Sequence, residues 1–217
     1  TRMIPSYKEF NIMNSQDLKT IAVIGAGAMG QQIAMNTAIN GRKLGYNVIL
    51  CDSFEKAVEK ASAWADTYLK GRVEKGRLTA EEADFVKQHL TITSDVDGAA
   101  AKADFIIEAI IEDLKVKREL FQRISRICKP DAILSTNSSN IVSSKLADVT
   151  ENPSRLLNVH YFNPALVMKL VELVKGPHTS DETIEIAKAF AVNTGKSPIV
   201  IQKEIPGFVA NRINAAV

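Results

Sequence analysis

Cysteine is nearly absent: Cys51 and Cys128 are the only two in 217 residues, no Cys-x-x-Cys spacing joins them, and three histidines are too few to complete a cluster. A disulfide-built scaffold and a zinc site are therefore excluded, and both thiols are expected to be buried and free. An excess of one charge is missing too, since 27 Lys and Arg face 25 Asp and Glu for a net charge of +2. No basic field of the kind that drives nucleic-acid binding can form, so nucleic acid is not an expected partner. No apolar run approaches the roughly 18 residues that span a bilayer. The opening TRMIPSYKEFNIMNSQDLKT has neither a signal-peptide apolar stretch nor an Arg-rich, acid-free transit pattern. The expectation is a cytoplasmic protein with no membrane partner. No internal repeat or low-complexity segment occurs, and 46% hydrophobic with 24% charged residues excludes disorder as the main state.

What is present alternates. Strand candidates are 20–24, 47–51, 90–93, 104–108, 132–135, 156–162, 169–174 and 198–201. Several are apolar throughout, as in strands buried on both faces of a parallel sheet. Helical stretches lie between them. In 113–128, Val116, Leu120, Ile124 and Ile127 are expected to form one buried stripe. Thr79 and Glu82 form a capping box, and GRVEKGR is a charged turn before it. Asn40-Gly41-Arg42-Lys43 reads as a polar surface extension. The alternation predicts an α/β fold: a Rossmann-like, doubly wound, mostly parallel sheet. A polar leader (1–18) is expected before that domain (19–204), and a linker with the first helix of an all-helical domain (205–217) after it. Phe208, Val209, Ile213 and Val217 would then be apolar positions with nothing downstream to cover them.

Two constellations carry chemistry. Gly25-Ala26-Gly27-Ala28-Met29-Gly30 follows the first strand and opens a helix. Gly25 permits the tight turn, Gly27 lets backbone approach a pyrophosphate, and Gly30 lets helix and strand pack closely. Asp52 ends the second strand 22 residues after Gly30, where a carboxylate can bond ribose hydroxyls and repel a 2′-phosphate. That favours NAD over NADP as cofactor, and Asp52 could also cap the next helix, serving as both. The second constellation is His160, near the end of its strand, and Glu172, a lone carboxylate on a face shared with Met168, Leu170 and Val174. A buried carboxylate needs a partner, and His160 is the natural one, with a structural Lys or Arg as the alternative. An imidazole held by a carboxylate moves protons at neutral pH.

The segments VIGAGAMG, STNSSN, NVHYFNPALVMKLVELVKG and KEIPGFVANRI occur in this order, and the run 19–217 resembles the 3-hydroxyacyl-CoA dehydrogenases of the short-chain, 3-hydroxybutyryl-CoA type. The resemblance implies reversible, NAD-dependent oxidation of a 3-hydroxyacyl-CoA in fatty-acid β-oxidation or butyrate metabolism, by a homodimer built through a helical C-terminal domain. It implies His160 as catalytic base, Glu172 as its partner, Ser139 as the hydroxyl that bonds the substrate oxygen and Asn211 as a polar clamp. Glu112, Lys117, Ser139 and Asn163 would be cofactor contacts, and Lys75 and Tyr68 would face CoA. Taken alone, Ser139 reads as a turn residue, Asn211 as a helix-surface amide, Lys75 as a solvated lysine, and Glu112 and Lys117 as ordinary charges at a strand-to-helix junction. Departures from the family pattern are Asn140 in place of a second serine, Tyr161 in place of phenylalanine and Tyr68 in place of a small serine. The competing readings are a dehydrogenase of a free hydroxy acid such as L-gulonate and a non-catalytic dinucleotide-binding module.

Overall fold

Strands apolar on both sides must be covered on both sides, and the structure shows how. A computed structural model describes residues 17–209. In chain order the elements are β1 (Thr20–Ile24), α1 (Ala28–Gly41), β2 (Asn47–Cys51), α2 (Glu55–Glu74), α3 (Ala80–His89), β3 (Leu90–Thr93), α4 (Val96–Lys102), β4 (Phe105–Glu108), α5 (Leu114–Ile127), β5 (Ile133–Thr136), α6 (Ser144–Ala147), β6 (Leu156–Tyr161), β7 (Leu170–Val174), α7 (Asp181–Asn193) and β8 (Ser197–Ile201). The strands join one sheet in the order β3-β2-β1-β4-β5-β6-β7-β8. All neighbours pair in parallel except β6 and β7. The expected Rossmann-like, mostly parallel sheet is present, and its order reverses between β1 and β4, where such sheets open a crevice at the strand carboxyl ends.

Successive residues of each strand serve opposite layers. Ile21, Val23, Phe105, Ile107, Leu157 and Val159 pack against Ile33 and Ala34 of α1 and Phe190 of α7. Their neighbours Ala22, Ile24, Ile106 and Leu134 pack against Ala100, Leu120, Phe121 and Ile124 from α4 and α5. Among the described residues no helix is long and apolar enough to cross a membrane.

Several local expectations need correction. On α5, Val116 and Ile127 are 38% and 39% exposed, and the buried face is Lys117, Leu120, Phe121 and Ile124. The face is rotated because Val116 lines the crevice rather than the core. The Thr79–Glu82 capping box forms, but α2 runs on through Glu74, so the charged turn shrinks to 75–79. The 40–43 segment is not a free extension. Gly41 is buried where an added Cβ would lie 2.4 Å from the Tyr46 ring, and Arg42 pairs with Glu82 of the capping box. Cys51 is buried and its thiol is pushed up to about 12, chiefly by desolvation, whereas Cys128 is only half-buried. Phe208 is also covered, being 1% exposed against Val142 and Val174, because residues 206–209 form a turn folded back on the sheet. Val209 is exposed as expected, while Ile213 and Val217 lie outside the described residues.

Candidate active site

The glycine loop divides its labour as the spacing implies. Gly25 has φ +110°, donates from its amide to Cys51 O at 2.7 Å, and has no room for a Cβ, which would lie 2.5 Å from Ala109 O. At Gly30 an added Cβ would fall 1.7 Å from Gly25 O, so helix and loop touch through the absence of a side chain. Gly27 differs, because nothing lies within 4 Å of its Cβ position. That open side is where a diphosphate can approach. Gly27 is the N-cap of α1, with no side-chain cap and no acid in the first turn, so the first amides of the helix keep their donors and positive partial charge for an anion. Ala26, Ala28 and Met29 complete the loop, and Gly25, Gly27, Ala28, Met29 and Asp52 border a cavity of about 700 Å³.

Asp52 joins the loop to the second strand. Its Oδ2 accepts from Ala26 N at 2.8 Å and its Oδ1 from Phe54 N at 3.0 Å. It is not the cap of α2, as the alternative reading had it: the N-cap is Phe54, and Asp52 sits two residues too early, where a side chain makes an Asx turn instead. A dinucleotide fits this cradle, with its diphosphate on the Gly27 side and its ribose at Asp52.

His160 lies near the carboxyl end of β6, on the same edge of the parallel sheet as the glycine loop. The chain then turns back as antiparallel β7, placing Glu172 directly opposite His160 in the register. Side chains of such a pair meet. His160 Nδ1 and Glu172 Oε2 are 2.8 Å apart, and both side chains are buried. A carboxylate only accepts, so Nδ1 carries the proton and Nε2 is left as the basic nitrogen. Glu172 Oε1 accepts from Val209 N at 3.1 Å. Phe162 and Phe208 flank the imidazole, with ring centroids at 4.6 and 5.4 Å.

Between the two constellations lies a polar network centred on Glu108, which the sequence reading missed. Glu108 is buried at the end of β4 and accepts from Ile110 N at 2.7 Å, Lys117 Nζ at 2.5 Å and Thr136 Oγ1 at 2.6 Å. Lys117 is itself 1% exposed and lies 3.5 Å from Glu112 Oε2. Lys117 is therefore no ordinary charge at a helix junction, whereas Glu112 is exposed there. Ser138, buried, donates to Glu112, while Ser139 beside it is half-buried and its hydroxyl accepts from the Asn140 side-chain amide at 3.3 Å. Asn158, also missed, reaches from β6 to hold the loop. Its Nδ2 donates to Ser138 O at 3.2 Å and Ile141 O at 3.0 Å, and its Oδ1 accepts from Ser143 N at 2.7 Å. The signals were faint: an acid closing an all-apolar strand, and an asparagine two residues before His160 on the same face.

The sequence profile of the 3-hydroxyacyl-CoA dehydrogenase NAD binding domain matches residues 20–205. The chain belongs to that family. The 3-hydroxyadipyl-CoA dehydrogenase of Escherichia coli K12 is 38% identical over 91% of this chain and 40% of its own length. A probable 3-hydroxybutyryl-CoA dehydrogenase of Bacillus subtilis is 36% identical over 91% of this chain and 67% of its own. The crystal structure of (S)-3-hydroxybutyryl-CoA dehydrogenase from Ralstonia eutropha superposes with a TM-score of 0.84 at 34% identity, covering 91% of this chain and 68% of that one. This chain thus spans two fifths to two thirds of the length of these relatives, and what it contains is the family's NAD-binding domain.

In this 3-hydroxyacyl-CoA dehydrogenase domain the remaining expected contacts are less clustered. Tyr68 stacks on Trp64 at 5.2 Å and packs against the core, with the Arg72 guanidinium 6.0 Å from its ring. Lys75 is exposed at the end of the same helix. Asn163 is exposed in the turn after β6, where the Asn163–Pro164 peptide is cis. Asn211 lies outside the described residues.

Proposed function

We propose that the protein, with whatever segments accompany this domain, oxidises a short-chain 3-hydroxyacyl-CoA such as 3-hydroxybutyryl-CoA to the 3-ketoacyl-CoA, reversibly and with NAD, in the cytoplasm and as a homodimer. The observation that carries this reading is the buried His160–Glu172 contact at the sheet edge that also bears the glycine loop. Gly25–Gly30 and Asp52 would hold NAD, which would supply the hydride acceptor for C3. His160 Nε2 takes the proton of the 3-hydroxyl in the same event. Glu172 keeps the imidazole in the right tautomer and stabilises the imidazolium, help of a kind worth roughly 100-fold to 10,000-fold. Ser139, its hydroxyl not donated to a described residue, and Asn211 would hold the substrate oxygen. Lys117 and Glu112, tied to Glu108, would shape the nicotinamide end.

Two further readings are separated by one experiment: NADH formation by the intact protein on short- and long-chain 3-hydroxyacyl-CoA and on free hydroxy acids. Turnover of the short CoA ester above the others supports the proposal. Preference for the free acid, L-gulonate among them, replaces it, and NAD binding without turnover points to a non-catalytic module.

A further inference from the structure

The chain after β8 is fastened back to the sheet at three points. Glu204 Oε1 accepts from Ser143 Oγ at 2.7 Å and Ser144 N at 3.0 Å. Gly207 N donates to Ser139 O at 2.8 Å. Val209 N donates to Glu172 Oε1 at 3.1 Å. Between the last two contacts, Phe208 lies buried with its ring beside His160. The segment 205–209 therefore supplies one wall of the imidazole and one hydrogen bond to its carboxylate.

The turn itself is favoured locally, since Pro206 and Gly207 are its central residues and Phe208 N donates to Ile205 O at 2.9 Å, but its place against the sheet is not. Gly207 takes its φ of +81° freely, whereas Phe208 has φ +46°, and a bulky side chain in the left-handed region persists only where surrounding contacts impose it. Ile205 and Pro206 are exposed. Glu204 is the side chain that anchors the near end of this turn. Room for it comes from Gly176, where an added Cβ would lie 2.9 Å from Glu204 Oε1 and 2.4 Å from the His178 ring. The Ser143 turn does not depend on Glu204, because Asn158 already holds it through Ser143 N and Ile141 O. The bond therefore fixes the strand-to-turn segment onto a turn that is otherwise secured.

We infer that Glu204 is a positioning residue for the proton-transfer pair: by clasping residues 205–209 to the Ser143–Ser144 turn, it sets Phe208 against His160 and the Val209 amide on Glu172. The inference rests on the reading of His160 as the base. A displaced wall and a lost amide bond leave the pair intact but poorly aimed, and misplacement of this sort costs rate rather than cofactor affinity.

The test compares Glu204→Ala, Glu204→Gln and Ser143→Ala in the full protein by steady-state kinetics, NAD titration and the proton NMR signal of the His160 Nδ1–H. Glu204→Ala is expected to lower kcat by about 10-fold to 100-fold. NAD affinity should stay within about twofold, and the His160 signal should move. Glu204→Gln keeps an acceptor oxygen and should recover most of both effects. Ser143→Ala should act in the same direction but more weakly, since Ser144 N remains, and it decides the matter if Glu204→Ala fails to fold. Unchanged kcat with an unmoved His160 signal overturns the inference, as does a Gln variant no better than Ala. If wild type fails to oxidise 3-hydroxyacyl-CoA while the signal still moves and recovers, the positioning role stands and the assigned reaction falls.

Discussion

The cofactor cradle and the proton-transfer pair occupy one edge of one sheet but are built in different ways. The cradle is nearly all main chain from a single stretch between Ile24 and Phe54, in which Gly25 and Gly30 are defined by what they lack. The pair is all side chain, assembled from β6, β7, the Ser138–Ser143 loop and the turn after β8. A backbone site should fail when an atom is added, and a side-chain site when an atom is removed. The sharpest break is therefore His160→Ala, expected to lower kcat by at least about 100-fold with little change in NAD affinity. Glu172→Gln should cost less, because the imidazole survives and loses only its charged partner. Stopped-flow turnover beside NAD titration checks both, and near-wild-type turnover in His160→Ala would remove the assigned base.

The opposite break adds a methyl group. Gly30→Ala places a Cβ against Gly25 O, backbone meeting backbone with no rotamer to give way. It should lower stability by several kcal/mol, in the upper range for single substitutions at about 4 kcal/mol, and abolish NAD binding with it. Gly27→Ala meets open space and should leave the melting temperature within about a degree while weakening NAD by at least about 10-fold, because the added methyl occupies only the diphosphate's path. Calorimetry and NAD titration on both variants test the division, and equal stability losses would show that Gly27 is packed like Gly30.

The same contrast explains what sequence could reveal. Apolar runs such as Phe105–Glu108 betray strands covered on both faces, and a glycine pattern is read directly because its contacts are local. The His160–Glu172 pair was within reach because two strands joined by a short turn put a lone acid opposite a strand-end histidine. The Glu108–Lys117 pair was not. A lysine on a helix after a strand looks solvated until the whole layer is assembled around it, and nothing local says that α5 turns Lys117 inward and Val116 toward the crevice. Phe208 was misjudged for a related reason, since its cover, Val142 and Val174, lies far away in the chain.

Asp52 straddles the two designs, being a side chain that serves the main-chain cradle. Asp52→Ala should weaken NAD by about 10-fold and narrow the preference over NADP, through loss of the ribose acceptor and release of the Ala26 amide. Asp52→Asn, which keeps one acceptor, should fall between, and a wild type that already prefers NADP would refute the assignment. A smaller effect is expected at His178, beside the Ser143–Glu204 contact. Burial holds its pKa below the ordinary 6.5, with the Glu204 carboxylate pulling the other way. The folded chain then binds fewer protons than the unfolded one just below pH 6.5, so stability falls as pH drops through that window. Thermal melts between about pH 7 and pH 5 should show a shallower decline in His178→Gln than in wild type. An identical slope would mean that other groups set the acid response.

The smallest effect should come from the residue beside the base. Tyr161 follows His160 on β6 but faces the opposite layer, packed with Val159 and Leu157 in the core, and its buried hydroxyl has no hydrogen-bond partner among the described residues. Desolvation raises its pKa above the ordinary tyrosine range. The nearby Lys196 ammonium, 5.9 Å from the ring centroid, already donates to Ala165 O and Met168 O. An unpaired buried hydroxyl costs about 1–3 kcal/mol, while its removal leaves a gap smaller than a methyl group. Tyr161→Phe should therefore be neutral or stabilising by about 1 kcal/mol. Turnover should not change, because alternation along the strand puts the hydroxyl on the far side of the sheet from His160. Denaturant melts and kinetics on the variant decide it. A stability loss beyond about 1 kcal/mol would show that an ordered water satisfies the hydroxyl. A fall in kcat would show that the two faces of β6 are coupled, so that the pair depends on the core behind it as well as on the turn in front.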